Sequence, residues 1–580
     1  MNAEYGCPKI NAENIEDYLD FENQSPYVEP GRLWEKLRPD YIPKTIKYGF
    51  SPGTAVHCFL ENAAENYPNN VAIYYFSKEL KYTYRDLKFF ADRLAAALAD
   101  LGIKKGDGVA IMTRNCPEYI YSIYGISKTG ACGIPVNPLL QKKEVLHILS
   151  DSGIVKAAIV HEQQYDVFRR VREEYPLDNV LVIKEGGGIN DPDVIDFHQL
   201  IEKYDPVPPD VIIDPLKDLC VLMYTGGTTG LPKGVMLSHS NIIANVFQNL
   251  LQMGDYKSKE QIKRLGKTVT LAVLPLCHVF GYTVSHIATS AGAMSIMVDF
   301  DPNLILKLIE RYRVETFVGI PIMFNLVAND PDFHRRNLSS IKALISGADS
   351  LPPSIAAVWK EVTGLDSRQG YGLSECSPIT HGQPEWLDPI PESIGIPALD
   401  TDVKIVDPED RTKELGVGEE GEILIRGPQV MKGYWKKSEA TADVLLADGW
   451  LRTGDIARMD AKGYFYIVGR SKEMIKYKGY RILPKEVEEG LFEHPAVMEC
   501  GVIGIPREDV GETIKAFIEL KPEYKGKVTE QDIIDWAKEN MAGYKYPRLV
   551  EFVDWIPKTP VGKVARKELR ERELNTNKGK

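Results

Sequence analysis

A segment rich in glycine and threonine, Tyr224–Gly234, has the residue types that bind phosphate. Glycines let backbone N–H groups approach an anion closely, threonine hydroxyls add donors, and Lys233 adds positive charge. An apolar strand is expected directly before this segment, and a capped helix is expected from Ser238. The order of strand, loop and helix predicts a phosphate-binding loop, although two residues separate Gly230 from Lys233, unlike a Walker loop. The alternative is a flexible surface loop.

A second polar block, Gln369–Glu375, offers groups for a purine, a phosphate and a metal ion. Tyr371 can stack on a purine ring, and Ser374 can donate a hydrogen bond to a phosphate. Glu375 can bind Mg²⁺, a hard ion that prefers carboxylate and phosphate oxygens. The alternative is a plain turn between a strand and a helix.

Charged residues in the last third of the chain are candidates for binding the sugar and for catalysis. The carboxylate of Asp455 can accept hydrogen bonds from both hydroxyls of a ribose. A basic strip, Lys472–Arg481, follows a strand that ends at Arg470, and Lys563 lies in a loop fixed by two prolines and a glycine. Without further context, each of these groups is equally consistent with a solvated surface charge.

His278 lies in an apolar stretch, so it is either a core histidine or part of a binding pocket. Strands are expected to end near Gly319 and Ser346, where glycine lets a flat ring or a chain pass close to the backbone. The residues that could line such a pocket are His278, Gly281, Tyr282, Gly319, Ile320, Gly347, Gly370 and Ile379.

Composition excludes several classes of protein. A chain of 580 residues is too long for one core, and a net charge of −12 argues against nucleic acid as a partner but not against nucleotides. No apolar run reaches about 18 residues, so no transmembrane span is expected, and no signal peptide is recognisable. The eight cysteines include no C-x-x-C pair. We therefore expect neither a zinc site nor a redox motif, and a reducing, cytoplasmic location.

Alternating helix and strand patterns predict an α/β fold with a large domain of mostly parallel sheets. Half-exposed strands after residue 402 predict a small β-barrel-like subdomain, and the last hundred residues predict a small α/β domain. The expected boundaries are 1–50 for an extension that packs loosely, 51–471 for the large domain and 472–580 for the C-terminal domain.

The phosphate segment, the block ending at Glu375, and three later stretches, Trp450–Asp455, Gly463–Ile482 and Ile556–Val564, occur in the order typical of the AMP-forming adenylate superfamily. The chain resembles that family over about residues 50 to 570. The family includes acyl-CoA synthetases, luciferases and the adenylation domains of peptide synthetases. The resemblance implies a luciferase-like fold with a mobile C-terminal domain, and a carboxylate–CoA ligase that uses ATP, Mg²⁺ and coenzyme A.

The resemblance also implies roles for individual residues. Lys563 would promote acyl-adenylate formation, and Lys472 would be the hinge that turns the C-terminal domain, bringing Lys476 to the site for thiol transfer. The implied catalytic residues are Lys563, Lys476, His278, Thr225 and Glu375, and the implied metal ligands are Glu375 and Thr225. The implied nucleotide- and CoA-binding residues are Thr225, Gly226, Gly227, Thr228, Thr229, Gly230, Lys233, Gly347, Ala348, Asp349, Gly370, Tyr371, Gly372, Ser374, Asp455, Arg470, Gly479, Arg481 and Lys563.

Three alternatives stay open at this point: an acyl-AMP ligase that loads a carrier protein, a luciferase-like oxidation, and a non-catalytic sensor that binds adenylates. A lysine at the hinge makes the chain more similar to luciferases, 4-coumarate ligases and long- or medium-chain acyl-CoA ligases than to acetyl-CoA synthetases. The acid itself is not identified, since fatty, branched, alicyclic and aryl acids all fit. The sequence leaves a homodimer open.

Overall fold

The computed structural model describes residues 7, 14–186, 188–189, 191–225, 231–252, 263–478, 480–507, 510–558 and 563–578. The chain forms two compact units, of which the first comprises Met1–Asp402 and Ile425–Leu451 and the second comprises Val403–Leu424 and Arg452–Lys580. The second unit thus includes strands that we assigned to the large domain. The boundary predicted between residues 471 and 472 stays a prediction.

One sheet of the first unit carries the predicted phosphate segment at its edge. Its strands are β5 (Gly108–Met112), β6 (Cys132–Pro135), β7 (Val155–His161), β8 (Asn179–Ile183), β9 (Ile195–Asp196), β10 (Leu219–Thr225) and β11 (Lys233–Ser238). They lie in the order β11-β10-β6-β5-β7-β8-β9. All neighbours are parallel except β10 and β11, which confirms the mostly parallel sheet.

A second seven-stranded sheet of the same unit supplies strand ends for the candidate pocket. Its strands are β3 (Val71–Tyr75), β4 (Leu80–Thr83), β12 (Val269–Ala272), β13 (Met294–Met297), β14 (Thr316–Gly319), β15 (Ala343–Ser346) and β16 (Arg368–Gln369). Their order is β16-β15-β14-β12-β13-β3-β4, and only β4 runs antiparallel to its neighbour. Two small sheets complete the unit, one of β1 (Leu19–Asp20) and β2 (Thr45–Ile46), the other of β17 (Tyr371–Gly372), β18 (Ile379–Gly382) and β19 (Ile396–Pro397).

The second unit is built on two further sheets. The four-stranded sheet contains β20 (Asp402–Val406), β21 (Gly421–Arg426), β22 (Leu451–Met459) and β23 (Phe465–Arg470) in that order. The five-stranded sheet contains β24 (Ile475–Tyr477), β25 (Tyr480–Ile482), β26 (Val497–Arg507), β27 (Gly511–Leu520) and β28 (Leu549–Phe552). Strands β26 and β27 form its long antiparallel hairpin.

Helices cover the sheets, as the alternating sequence pattern predicts. In the first unit they are Cys58–Asn66, Tyr84–Asp100, Pro117–Lys128, Lys142–Ser152, Tyr165–Arg172, Phe197–Ile201, His239–Gln252, Val279–Ser290, Pro302–Tyr312, Pro321–Ala328, Pro353–Thr363 and Ser438–Val444. In the second unit they are Pro484–Phe492, Glu530–Asn540 and Arg566–Lys578. Among the described residues, no helix combines the length and apolar character needed to cross a bilayer.

An aromatic cluster fixes the end of β14. Phe317 stacks on Trp359 with ring centroids 5.3 Å apart, and the Trp359 indole donates a hydrogen bond to the Phe324 carbonyl at 3.0 Å. All three side chains are fully buried. Buried aromatic pairs of this kind contribute both apolar area and a preferred geometry, so the backbone at Gly319 is held firmly.

The prediction that the N-terminal extension packs loosely is wrong. Asp400, which is fully buried, accepts hydrogen bonds from Ser25 Oγ at 2.7 Å, Thr45 Oγ1 at 2.5 Å, the Ile46 N–H at 3.1 Å and Tyr48 OH at 2.8 Å. A buried carboxylate requires such donors, so the extension completes the first unit. No local sequence pattern indicates this contact, because the partners lie more than 350 positions apart.

Replacing Asp400 with alanine should lower the free energy of unfolding by about 2 to 4 kcal/mol, because its buried donors lose their acceptor. Burial raises the pKa of Asp400. A carboxyl whose folded pKa lies above its unfolded pKa stabilises the fold most at low pH. The stability lost in the variant should therefore grow as the pH falls towards 3.8, the ordinary value.

Urea denaturation followed across pH measures this effect. Asp178→Ala, at an exposed aspartate, is the control. A change below about 0.5 kcal/mol for Asp400→Ala would be ordinary for a surface residue and would contradict the anchoring role.

One pair of cysteines also differs from expectation. Cys7 and Cys58 form a disulfide across 51 residues, whereas the scattered cysteines led us to expect no redox motif and a reducing location. The six other cysteines, Cys116, Cys132, Cys220, Cys277, Cys376 and Cys500, are free thiols.

Candidate active site

The predicted phosphate segment is followed by a strand and not directly by a helix, because the strands β10 and β11 on its two sides pair antiparallel. Thr225 at the end of β10 faces Lys233 at the start of β11, and Tyr224 faces Gly234. The strand β11 forms because it contains buried apolar residues that pair with β10. The predicted capped helix follows it from His239, and Ser238 Oγ accepts a hydrogen bond from the Asn241 N–H at 3.4 Å. The five residues Gly226, Gly227, Thr228, Thr229 and Gly230 lie outside the described residues, and their roles stay predictions.

Three side chains, those of Lys233, Tyr434 and Glu375, contact one another in series. The ammonium of Lys233 lies 4.9 Å from the ring centroid of Tyr434, and the Tyr434 hydroxyl donates a hydrogen bond to Glu375 Oε1 at 2.7 Å. Val235 on β11 also forms a backbone bridge with Tyr434. Tyr434 was not identified as a site residue from the sequence, because its partners are distant along the chain.

The environment of the Tyr434 hydroxyl helps to hold the Glu375 carboxylate in one orientation. Burial and the neighbouring Glu375 carboxylate raise the pKa of the Tyr434 hydroxyl. The hydroxyl therefore stays protonated and acts as the donor. The Met431 N–H donates to the Glu375 carbonyl at 2.8 Å, which fixes the backbone of the same residue.

Hard oxygen donors at this place fit a Mg²⁺ ion. Glu375 presents a carboxylate with one oxygen held by Tyr434, and Thr225 places a hydroxyl at the end of β10. Carboxylate, hydroxyl and phosphate oxygens are the ligands that Mg²⁺ accepts, usually together with water. The chemistry of these donors fits Mg²⁺, and the roles of Glu375 and Thr225 as its ligands stay predictions.

The carboxyl ends of three neighbouring parallel strands meet at residues that were predicted to bind the nucleotide or to line the pocket. Gly319 ends β14 beside Ser346 of β15, and Ser346 is paired with Gln369 of β16. The Gly347 N–H donates to the Gly319 carbonyl at 3.1 Å, and the Gly370 N–H donates to the Ser346 carbonyl at 3.0 Å. Ligands of open parallel sheets bind at such strand ends.

Two glycines in this region leave no room for a larger side chain. A Cβ on Gly347 would lie 2.9 Å from the Phe280 ring, and a Cβ on Gly372 would lie 2.0 Å from the Pro378 carbonyl oxygen. Ala348 turns the chain with φ of +70°, in the left-handed region. Asp349 accepts a hydrogen bond from the N–H of its neighbour, Ser350.

The block ending at Glu375 begins with a short strand. Tyr371 packs edge-on against His381 with centroids 5.8 Å apart, and Ser374 opens a 3-10 turn that contains Glu375. Burial lowers the pKa of His381 to about 3, so this histidine is neutral. Tyr371 therefore packs against an uncharged ring.

His278 stands directly before the helix Val279–Ser290 and is half-buried. Its Nε2 lies 3.4 Å from Asn137 Nδ2. Burial lowers the pKa of His278, so the ring is neutral at pH 7. Gly281 fits tightly, because a Cβ there would lie 2.3 Å from the Pro275 carbonyl oxygen. The acyl-site role of His278 stays a prediction.

The second unit brings the two predicted ribose residues together. Asp455 on β22 faces Arg470 at the end of β23, and Arg470 Nε lies 2.9 Å from Asp455 Oδ1. The Asp455 carboxylate is 7% exposed, while Arg470 is 44% exposed. The ion pair holds the carboxylate in one orientation.

The loop before Lys563 is anchored at both ends. Lys558 forms an antiparallel backbone bridge with Val564, and the Ala565 N–H donates a hydrogen bond to the Pro557 carbonyl at 2.7 Å. Beyond the loop, Arg566 pairs with two carboxylates, Glu473 at 2.8 Å and Glu488 at 2.6 Å. Sequence reasoning missed Arg566.

Arg566 connects the base of this loop to the predicted hinge, since Glu473 directly follows Lys472. Lys472 is exposed in a 3-10 turn, Ser471–Glu473. Lys476 is exposed on β24 and faces Arg481 across a hairpin, where only the backbone of Arg481 is described. Gly479 lies outside the described residues.

Comparison with known proteins gives consistent matches along the chain. A family model described as "AMP-binding enzyme" matches residues 60–435, and one described as "AMP-binding enzyme C-terminal domain" matches residues 486–563. The chain is 36% identical over 574 residues to a long-chain-fatty-acid–CoA ligase of Bacillus subtilis, which covers 95% of this chain and 100% of that protein.

A feruloyl-CoA synthase of an Amycolatopsis species is 34% identical over 494 residues, covering 84% of this chain and 94% of its own. Among solved structures, ATP-bound MatB from Rhodopseudomonas palustris matches with a TM-score of 0.80 at 26% identity, covering 90% of this chain and 99% of that one.

Proposed function

Because the chain belongs to the family of AMP-binding enzymes, we propose that it is an ATP-dependent, AMP-forming carboxylate–CoA ligase with a luciferase-like fold. A carboxylate oxygen attacks the α-phosphorus of ATP, and pyrophosphate leaves. The thiol of coenzyme A then loses its proton and attacks the acyl carbonyl, and AMP leaves with the electrons of the broken C–O bond. The reaction uses ATP, Mg²⁺ and coenzyme A.

The observation that carries this proposal is the pair of contacts that joins Lys233 to Tyr434 and Tyr434 to Glu375. Both the attacking carboxylate and the phosphate are anionic, so the first step requires concentrated positive charge. In our proposal, Lys233 and the phosphate segment that precedes it stabilise the leaving pyrophosphate. Mg²⁺, when bound by Glu375 and Thr225, supplies further positive charge to the triphosphate. Tyr434 orients Glu375 for that task.

The second unit supplies the remaining groups in our proposal. Asp455 and Arg470 bind the ribose, and Lys563 stabilises the charge that develops as the acid attacks. Rotation about Lys472 then removes Lys563 and presents Lys476. The nearby Gly479 and Arg481 receive the pantetheine arm and the phosphates of coenzyme A. One site thus serves two half-reactions through a domain movement.

The acid is bound, in our proposal, where the strands β14, β15 and β16 end. The relatives named above act on a long-chain fatty acid and on ferulate, so we propose an acid with a sizeable apolar part. His278 and the neighbouring helix Val279–Ser290 form one wall, with Phe280 packed against Gly347. Further residues assigned to the wall are Gly281, Tyr282, Ile320 and Ile379.

The proposed function is tested by acid-dependent exchange of pyrophosphate into ATP, without coenzyme A, over a panel of fatty, branched, alicyclic and aryl acids. Adding coenzyme A should yield AMP and the thioester. Exchange without thioester would indicate transfer to a carrier protein, and neither product would indicate a sensor. Either result would refute the proposal that the protein is a carboxylate–CoA ligase.

Tyr434→Phe should slow adenylation about tenfold and raise the Mg²⁺ requirement. The substitution keeps the ring beside Lys233 but removes the hydroxyl that holds Glu375. Pyrophosphate exchange at varied Mg²⁺ concentrations measures both quantities. Tyr466→Phe, which removes a hydroxyl bonded to Asp460, is the control. An unchanged Mg²⁺ dependence in Tyr434→Phe would contradict the orienting role.

We propose a cytoplasmic location, where ATP and coenzyme A are supplied. A homodimer is proposed as the assembly, and sedimentation equilibrium tests it directly.

A further inference from the structure

A cluster of soft metal ligands lies in the first unit among groups that our mechanism does not use. The sulfur atoms of Cys7 and Cys58 and a ring nitrogen of His57 all lie within 4.8 Å of one another. The two cysteines form a disulfide, with Cα atoms 5.2 Å apart. His57 and Cys58 stand at the start of the helix Cys58–Asn66, while Cys7 comes from the N-terminal segment.

The cluster opens into a cavity of about 410 Å³. Besides Cys7 and His57, its wall includes the carboxylates of Glu61 and Glu65 and the segment Pro208–Val211. A disulfide needs none of these groups, and a polar cavity beside it has room for water. A histidine, two cysteine sulfurs and space for a further oxygen ligand are the composition of a zinc site.

The histidine is already fixed in the way that metal-binding histidines usually are. His57 Nδ1 lies 2.9 Å from Ser127 Oγ, which leaves Nε2 to act as the ligand. Such an outer hydrogen bond sets the orientation of the ring and the nitrogen that carries the proton. Ser127 belongs to the buried helix Pro117–Lys128, so the ring is held by a rigid element.

Negative charge beside the cluster favours a divalent cation. Among the described residues, the cavity lining includes Glu61, Glu65 and Asp210 beside a single lysine, Lys128. The Lys128 ammonium is itself paired with Glu61 and Asp92, so carboxylates outnumber ammonium groups in this described part of the site.

We propose that the reduced protein binds one Zn²⁺ ion through Cys7, His57 and Cys58, with a cavity water as the fourth ligand. A dithiol reductant supplies two electrons and two protons, the S–S bond breaks, two thiols form, and the reductant becomes a disulfide. Zinc then displaces the two thiol protons as it binds. The same cysteines therefore tie the N-terminal segment to the helix either through the disulfide or through the metal.

Zinc binding to the full chain tests this proposal. The protein is reduced with a phosphine, incubated with Zn²⁺, desalted and analysed for metal by mass spectrometry. We expect one zinc per chain in the reduced protein and at least about tenfold less in Cys7→Ser, His57→Gln and the oxidised protein. With Co²⁺ instead, the reduced protein should show the thiolate-to-cobalt charge-transfer band, and Cys7→Ser should not.

Cys500→Ala, which removes a buried thiol from the second unit, is the matched control and should retain the zinc. The proposal is overturned if the reduced protein holds no more zinc than Cys7→Ser, if oxidation does not lower the zinc content, or if Cys500→Ala loses the metal equally. Pyrophosphate exchange on the same samples reports the ligase separately, so failure of either proposal is recognised independently.

Discussion

Replacing Lys563 with alanine should slow acyl-adenylate formation about 10²-fold or more, while thioester formation from supplied acyl-adenylate continues at nearly the normal rate. The first half-reaction brings an anionic carboxylate against an anionic phosphate, and the lysine supplies positive charge to that transition state. The second half-reaction begins with a neutral acyl carbonyl and an AMP leaving group, so it does not need this lysine. Pyrophosphate exchange measures the first step, and thioester release from synthetic acyl-adenylate measures the second.

Lys558→Ala is the control for this experiment, because Lys558 stands at the base of the same loop and pairs with Glu499 at 2.5 Å. This variant loses a lysine and an ion pair but should keep both half-reactions within a few-fold. Equal loss of both half-reactions in Lys563→Ala would refute the division of labour between the two domain positions.

Glu375→Gln should produce the second large effect. The substitution keeps an oxygen that can accept the hydrogen bond from Tyr434 but removes the negative charge that attracts Mg²⁺. We expect the rate of adenylation to fall about 10²-fold at ordinary Mg²⁺ concentration and to recover in part when Mg²⁺ is raised. Exchange assays over a range of Mg²⁺ concentrations measure the effect.

Glu361→Gln, at an exposed glutamate of the helix Pro353–Thr363, is the matched control and should leave the Mg²⁺ dependence unchanged. If Glu375→Gln had the same Mg²⁺ dependence as the parent, the carboxylate would not be the metal ligand. Tyr434 would then not act by orienting a metal ligand.

Local sequence signals predicted the fold of the first unit well. The alternation of helices and strands predicted the two mostly parallel sheets, and Thr83 and Asp86 form a capping box at the start of the helix Tyr84–Asp100. Period and capping depend on residues within a few positions of each other, so a single sequence is enough to detect them.

Long-range contacts could not be predicted in the same way. The docking of the N-terminal extension depends on Asp400, the orientation of Glu375 depends on Tyr434, and the disulfide joins Cys7 to Cys58. None of these pairs follows a periodic pattern. The strand β11 was missed because Pro232 and the glycines around it indicated a loop that leads directly into a helix.

Site residues were predicted from family resemblance more than from physics. The residue types at Thr225, Glu375 and Asp455 suggest phosphate, metal and ribose on chemical grounds, but a solvated surface explains an isolated lysine equally well. The structure adds the ion pair between Asp455 and Arg470 and the anchoring of the Lys563 loop by Arg566. These contacts explain how the Asp455 carboxylate and the Lys563 loop are held in position, which the residue types alone do not.

The central claim is that an acid becomes reactive by joining AMP before it meets sulfur, and an acid labelled with ¹⁸O in both carboxylate oxygens tests it most directly. If the carboxylate attacks the α-phosphorus, one ¹⁸O atom must leave with AMP and the other must remain in the thioester, as mass spectrometry of both products will show. Unlabelled AMP, formed together with the thioester, would contradict the acyl-adenylate route.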